Sequence, residues 1–270
     1  MNGILMNARA FLVRGLLAGL LAGLAAFFVG YQVGEPHVEA AIALEEAGAA
    51  DSHSHGEEPE AHSPAADEAG DEEVFKVSRE TQRTWGLLTG SLTIGLAWGG
   101  LVALVAAGTL GRIGRFLPGQ STAVISLIGF VSVALVPFLK YPATPPAVGS
   151  GDTIGDRTAL YFGFLLLSVA SAVLATYLAC RLRERIGTYG GVVAGIAAYL
   201  LVVIVAALVF APVSELGDFP ADTLWSFRLS SMLTLATMWG VLGVVLTGLV
   251  SRLYARETAL AHRRELAASL

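Results

Sequence analysis

Six apolar runs of roughly 20 residues set the terms for this chain, because each matches the hydrocarbon thickness of a bilayer. They lie at about 11–34, 85–107, 122–139, 158–180, 189–210 and 228–250. Charged residues make up only 14% of the 270 residues and gather in short islands between the runs. The expected fold class is therefore all-α: a polytopic membrane protein with six transmembrane helices, since a helix satisfies its own backbone groups in lipid. The first run is too long for a signal-peptide core and no small-residue cleavage site precedes Glu35, so it reads as a retained helix. The expected organisation is a tail and first helix at 1–34, an acidic, histidine-bearing loop at 35–84, a five-helix membrane bundle at 85–250 and a tail at 251–270.

Basic residues set the expected orientation. Arg9, Arg14, Arg112, Arg115, Arg181, Arg183, Arg185, Arg252, Arg256, Arg263 and Arg264 fall on one side of a six-span layout. Lys76, Arg79, Arg83, Lys140, Arg157 and Arg228 fall on the other, in longer loops. Both termini are then cytoplasmic, and the histidine loop is extracytoplasmic.

An internal repeat is also legible. Segment 85–139 laid on 158–212, an offset of 73, gives 13 identities in 55 positions, including Arg112-Ile113-Gly114 on Arg185-Ile186-Gly187. Two readings stand side by side: a duplicated helical hairpin, as is common in transporters, or shared Ala, Leu, Gly and Val bias. Gly15, Gly19 and Gly23 share one helix face, as do Gly86 with Gly90 and Gly191 with Gly195. Such faces let helices approach closely.

Several chemistries are poorly provided for. The single cysteine, Cys180, cannot form an intrachain disulfide or a thiolate cluster. No span carries Asp, Glu or His near its middle, so a proton relay or a buried-carboxylate ion site lacks its parts. No H-E-x-x-H, nucleophile–base pair or Walker A motif is visible, so the chain reads as no enzyme. No basic cluster with interleaved aromatics suggests nucleic acid.

The candidate chemistry sits at the rim opposite the termini. Glu35 and Glu39 lie four apart with His37 between them, and Pro36 suits the first turn of a helix there. These groups fit a divalent cation at the membrane surface, or an ordinary solvated interfacial helix. The stretch "DSHSHGEEPEAH" at 51–62 then places His53, His55 and His62 among Asp51, Glu57, Glu58 and Glu60. Imidazole suits Co2+, Ni2+ and Zn2+, and carboxylate adds oxygen ligands. A site here must order the loop at about 1–2 kcal/mol per fixed residue, so it would be weak and unselective: a collector, or simply an acidic linker. No cofactor is firmly expected beyond such a weakly bound metal. Ser78 is a candidate helix cap with Glu80 in the first turn. Arg79 and Arg83 fit pairing with the acidic loop or interfacial anchoring. Four prolines between 137 and 146 form a stiff cap beside Lys140, Tyr141 and Arg157.

Three motifs together carry a resemblance: "GEPHVEAAIALEE" at 34–46, "VSRETQRTWGLLTG" at 77–90 and "LKYPATPPAVGSGDTIGDRTALY" at 139–161. With spans in matching order along nearly the whole chain, the sequence resembles the CbtA family of predicted bacterial cobalt transporter subunits. The resemblance implies a cobalt-uptake role in the bacterial cytoplasmic (inner) membrane, linked to cobalamin synthesis. It also implies a small one-span partner with a histidine-rich tail, CbtB. Motif positions carried over as candidates for a pathway or rim are Glu35, Glu45, Glu46, Lys140, Tyr141 and Arg157. The competing reading is a non-transporting scaffold or metal-sensing accessory subunit.

Overall fold

The computed structural model describes residues 7–53, 78–114, 116–213 and 215–269, with the side chains of 48–53 excepted. All the regular structure among the described residues is helical, without strands. Helix α1 (Ala8–Val29) passes through a π-helical turn at Gly30–Gly34 into α2 (Glu35–His53). A short α3 (Arg79–Thr81) leads through a second π turn, Gln82–Gly86, into α4 (Leu87–Thr109). The third span is α5 (Pro118–Gly129), a π turn at Phe130–Leu135 and α6 (Val136–Lys140). A 3-10 turn, Gly151–Thr153, opens α7 (Ile154–Val209), and α8 covers Ala221–Ala268.

Five of these segments are long and apolar enough to cross a membrane: Ala8–Ala47, Arg79–Thr109, Pro118–Lys140, Gly151–Val209 and Ala221–Ala268. The fourth and fifth apolar runs lie in a single segment of 59 residues, Gly151–Val209. That segment is not straight. Gly187 takes φ +80°, a left-handed conformation that suits glycine, and the chain folds back there. Gly191 then lies against Ala179 and Arg183, and Gly195 against Ala175 and Ala179, so arms 154–186 and 188–209 run antiparallel.

Pro36 lies in the first turn of α2, where its position suited it, although that helix continues directly from α1. Pro137, expected to belong to a stiff cap, lies instead inside the third span, which runs on to Lys140. In each case a π turn ends two residues earlier, and the helix runs on through the proline. A π turn shifts the hydrogen-bond register by one residue, which accommodates a residue that has no N–H to give. Glu35 N–H reaches back to Gly30 O, and Val136 N–H to Val131 O.

Packing divides the molecule. Helices α1, α4, α5 and α8 form one bundle. Within it, Gly15, Gly19 and Gly23 face Gly99, Gly95 and Ser91, so closely that a Cβ at Gly19 would stand 2.2 Å from Gly95 O. The stripe predicted at Gly15, Gly19 and Gly23 is a packing surface. Gly90, by contrast, meets nothing within 4 Å, and Gly86 touches only its own helix. The bundle core centres on Trp239, Leu242, Leu246 and Val250 with Phe11 and Ala103. The α7 hairpin packs instead on the second half of the third span, through Phe130–Leu135 and α6.

The antiparallel pairs α1/α4, α5/α8 and the two arms of α7 sort the ends. Arg9, Arg112, Arg183 and Arg252 fall at one end of the helices. Glu35, Arg79, Lys140, Arg157 and Arg228 fall at the other.

Candidate functional site

The acidic rim is built, and it is already paired. Ser78 caps α3, its Oγ accepting from Thr81 N–H at 3.3 Å. That cap starts the helix where Arg79 and Arg83, four residues apart, face Glu35 and Glu39, four apart on α2. Arg79 donates to the Glu35 carboxylate and Arg83 to that of Glu39. Arg83 also donates to Tyr31 Oη at 3.4 Å and lies 5.2 Å from the centre of that ring. Glu35 is 8% exposed, and a buried carboxylate is tolerated when a cation neutralises it. Of the two roles open to Arg79 and Arg83, pairing with acid is the one observed, although the partners lie on α2.

The other predicted rim residues are dispersed. His37 is half-buried on α2, and Glu45 and Glu46 are exposed beyond it. His53 ends the α2 backbone, while its side chain, with His55 and His62, lies outside the described residues. Among the described residues, no three of His, Cys, Asp and Glu come together as a metal ligand set.

The proline-rich segment has a well-defined anchor. Lys140 Nζ donates to Ala207 O at 2.8 Å and Phe210 O at 2.9 Å. It thereby caps the carbonyl end of the second α7 arm, where a cation is favoured. Tyr141 Oη donates to Ala211 O at 2.8 Å, its ring edge-on to Phe164. Burial raises the Tyr141 phenol above its ordinary value, so it stays a donor at neutral pH. Arg157 donates to Ser150 O at 2.9 Å and lies 3.5 Å from Glu215. Glu215 also accepts from Thr153 Oγ1 at 2.8 Å and Ser150 N–H at 3.1 Å. The Thr153 and Ser150 hydrogen bonds, with the Arg157 charge, hold the Glu215 carboxyl below the usual range. Arg228 reaches Ala143 O at 3.4 Å. Lys140, Tyr141 and Arg157 are thus positioning residues that lash the proline-rich segment to Ala207, Phe210, Ala211 and Glu215.

One polar group inside the membrane interior escaped the sequence reading. Val136 N–H is spent on Val131 O, and Pro137 has no N–H, so the Ser132 carbonyl loses its helical partner. Ser168 Oγ from α7 donates to that carbonyl at 2.8 Å. Having spent its proton, Ser168 must accept from Tyr199 Oη, 2.9 Å away on the second arm. Ser132, Ser168 and Tyr199 are all buried. Pro137 within an apolar run is the sequence signal that could have pointed to an unpaired carbonyl in the preceding turn. Nothing in the sequence links it to Ser168 or Tyr199.

These elements span the stretches that carried the resemblance: the Glu35 helix, the Ser78 cap and the Lys140–Arg157 strap. A family model described as "Probable cobalt transporter subunit (CbtA)" matches residues 8–251, nearly all of the described fold. The chain belongs to the CbtA family. No curated protein and no solved structure matches it. As a CbtA-family chain it is a membrane-helix protein of a cobalt transport family, and the family description calls such a chain a subunit.

Proposed function

We propose that the chain is an integral membrane component of divalent metal uptake, with cobalt as cargo, and that it acts as a transport component and not an enzyme. The observation that carries this reading is the family match across 8–251, joined to helices able to span a bilayer. In this reading the chain crosses the bacterial inner membrane six times, with α7 supplying two crossings about Gly187 and both termini in the cytoplasm. The fold-back at Gly187 and the gathering of arginines at one end support that topology. The proposed duplication finds support in its aligned turns: Gly114 (φ +151°) and Gly187 (φ +80°) both take positive φ.

The stretch with His53, His55 and His62 then gathers Co2+, or Ni2+ or Zn2+, outside the membrane and raises its concentration above the rim. Glu35 and His37 receive it, but Arg79 must first release Glu35, since that carboxylate is already neutralised. Glu45 and Glu46 add negative charge along α2. Lys140, Tyr141 and Arg157 keep the proline-rich segment over the helix ends. A small one-span, histidine-rich subunit of the CbtB kind is the proposed partner, in keeping with the word subunit in the family description. Energy is available without an ATPase, because a divalent cation moving inward gains about 4–5 kcal/mol at about 100 mV.

Uptake of radioactive cobalt into cells with and without the gene tests the proposal. Higher uptake with the gene is expected, and equal uptake removes it. A second reading, a non-transporting accessory subunit, is favoured by one observation. A groove along the α7 hairpin, lined by Leu167, Leu201, Val205 and Phe210, is apolar and open and offers an ion no ligand. Co2+-dependent assembly with a separate permease, without uptake by this chain, would favour that reading.

A further inference from the structure

A cation crossing this chain needs oxygen atoms in the interior and two surfaces able to part. The α1/α4 contact offers carbonyl oxygens of continuous helices, and its glycines bring backbone directly onto backbone, so it is poorly placed to part. At α5/α8, Thr122 and Ser126 give their hydroxyl protons to carbonyls of their own helix, and the buried Ser121 and Thr247 hydroxyls make no hydrogen bond from one helix to the other. Trp239 closes on Gly129, and Ser251 closes on Gly119. The contact between the third span and the α7 hairpin differs in kind. It is crossed by hydrogen bonds between elements, and one acceptor there, the Ser132 carbonyl, can never be reclaimed by its own helix while Pro137 stands in place. The α7 hairpin leans chiefly on this one span. Near the arginine end its link to the turn at 110–114 includes a long Cys180 Sγ–Ile113 O contact of 3.6 Å.

We propose that a hydrated divalent cation passes along the seam between the third span and the α7 hairpin, where Ser132 O, Ser168 Oγ and Tyr199 Oη converge. This rests on the transport reading and deepens it by naming a route. With the seam shut, the three oxygens satisfy one another and the interior stays dry. When the hairpin tilts away, they face the gap and accept hydrogen bonds from water around the ion. Three neutral oxygens are a poor replacement for an inner hydration shell, so the ion keeps its water, which avoids the cost of a bare charge at mid-bilayer. The route reads charge and size more than metal identity. On α7 the seam presents Ala172 and Ala175, which form a buried cluster with Tyr199 against which Ile128 and Val131 pack.

Cysteine accessibility in full-length chains in cells provides the test. In a Cys180→Ala background, Ala172→Cys places one thiol on the seam wall, and Ala175→Cys is a second variant should the first not fold. Ala18→Cys, buried in the α1/α4 bundle, is the reference. The probe is methanethiosulfonate ethyltrimethylammonium, a permanent cation that reacts where water reaches. Labelling of the seam cysteine at least ten times faster than Ala18→Cys, slowed by cobalt chloride, is expected. A seam cysteine as protected as the reference, in cells whose wild-type chain takes up radioactive cobalt, overturns the route and leaves the transport reading intact. Labelling without any uptake overturns the crossing together with the transport reading.

Discussion

The α1/α4 pair and the α7 hairpin solve the same problem, joining helices in lipid, in opposite ways. The first removes side chains: glycine faces glycine, and van der Waals contact between backbones does the holding. The second keeps side chains and adds hydrogen bonds, Ser168 to Ser132 O and Tyr199 to Ser168. Close backbone contact has one geometry and yields little. A few hydrogen bonds across a seam can be made and broken at modest cost. On the proposed route the bundle would be the fixed frame of the molecule and the hairpin its movable part.

Gly99→Leu should have the largest effect, because a Cβ at Gly99 already stands 2.2 Å from Gly15 O and a longer side chain must drive α1 from α4. A loss of about 3 kcal/mol or more is expected, read as lost thermal stability in detergent; a near-normal melting temperature would break the comparison at its root. Arg79→Ala comes next. It leaves the buried Glu35 without its cation at about 1–2 kcal/mol, discounted because Arg79 itself is partly exposed. Arg83→Ala, at the exposed Glu39, should cost less, and the order of the two variants in thermal denaturation is the check.

Ser168→Ala should cost about 1–2 kcal/mol by stranding the Ser132 carbonyl. Its sharper test is a double-mutant cycle. Pro137→Ala returns an N–H to the third span, so the double variant should lose less than the two single losses added together. Strict additivity would show that the carbonyl is not shared between them.

Acid should loosen the hairpin strap before it touches the bundle. The Glu215 carboxyl sits below its ordinary value in the folded chain. Its contribution is therefore complete above the unfolded value and is lost as pH falls through the folded one. Proteolysis within 141–153 should quicken below about pH 4, where an unperturbed carboxyl titrates. Glu215→Gln should flatten that response. The smallest effect belongs to Gly90→Ala, where no neighbour lies within 4 Å: a gain of at most about 1 kcal/mol from helix propensity.

Gly90 also shows where sequence stops informing. Gly86 and Gly90 have the same spacing as Gly15 and Gly19, yet one pair lies open and the other is covered. Spacing defines a face and says nothing about what lies against it. The apolar runs, the Ser78 cap and the Gly15 stripe were legible because each depends on near neighbours in the chain. Pro137, grouped by sequence with the proline-rich cap, misled for a related reason: proline breaks α-helical register, and the π turn that absorbs it carries no residue signature of its own. Lys140, Tyr141 and Arg157 could be singled out by resemblance, but their partners at Ala207, Phe210, Ala211 and Glu215 emerge only in three dimensions. The Ser132–Ser168–Tyr199 group stayed hidden because hydroxyls are unremarkable singly in an apolar span.

Helix α8 has one further consequence. Its 48 residues rise about 72 Å, more than twice the roughly 30 Å of bilayer hydrocarbon. Beyond Leu253 nearly every residue is exposed, so the final turns stand clear as a mast rooted in the core at Leu242, Leu246 and Val250. A mast held that firmly at its base magnifies tilt. A small rotation of the frame, too slight to notice inside the membrane, becomes a displacement of several ångströms at the tip, where a fluorophore attached near Leu266 would report it.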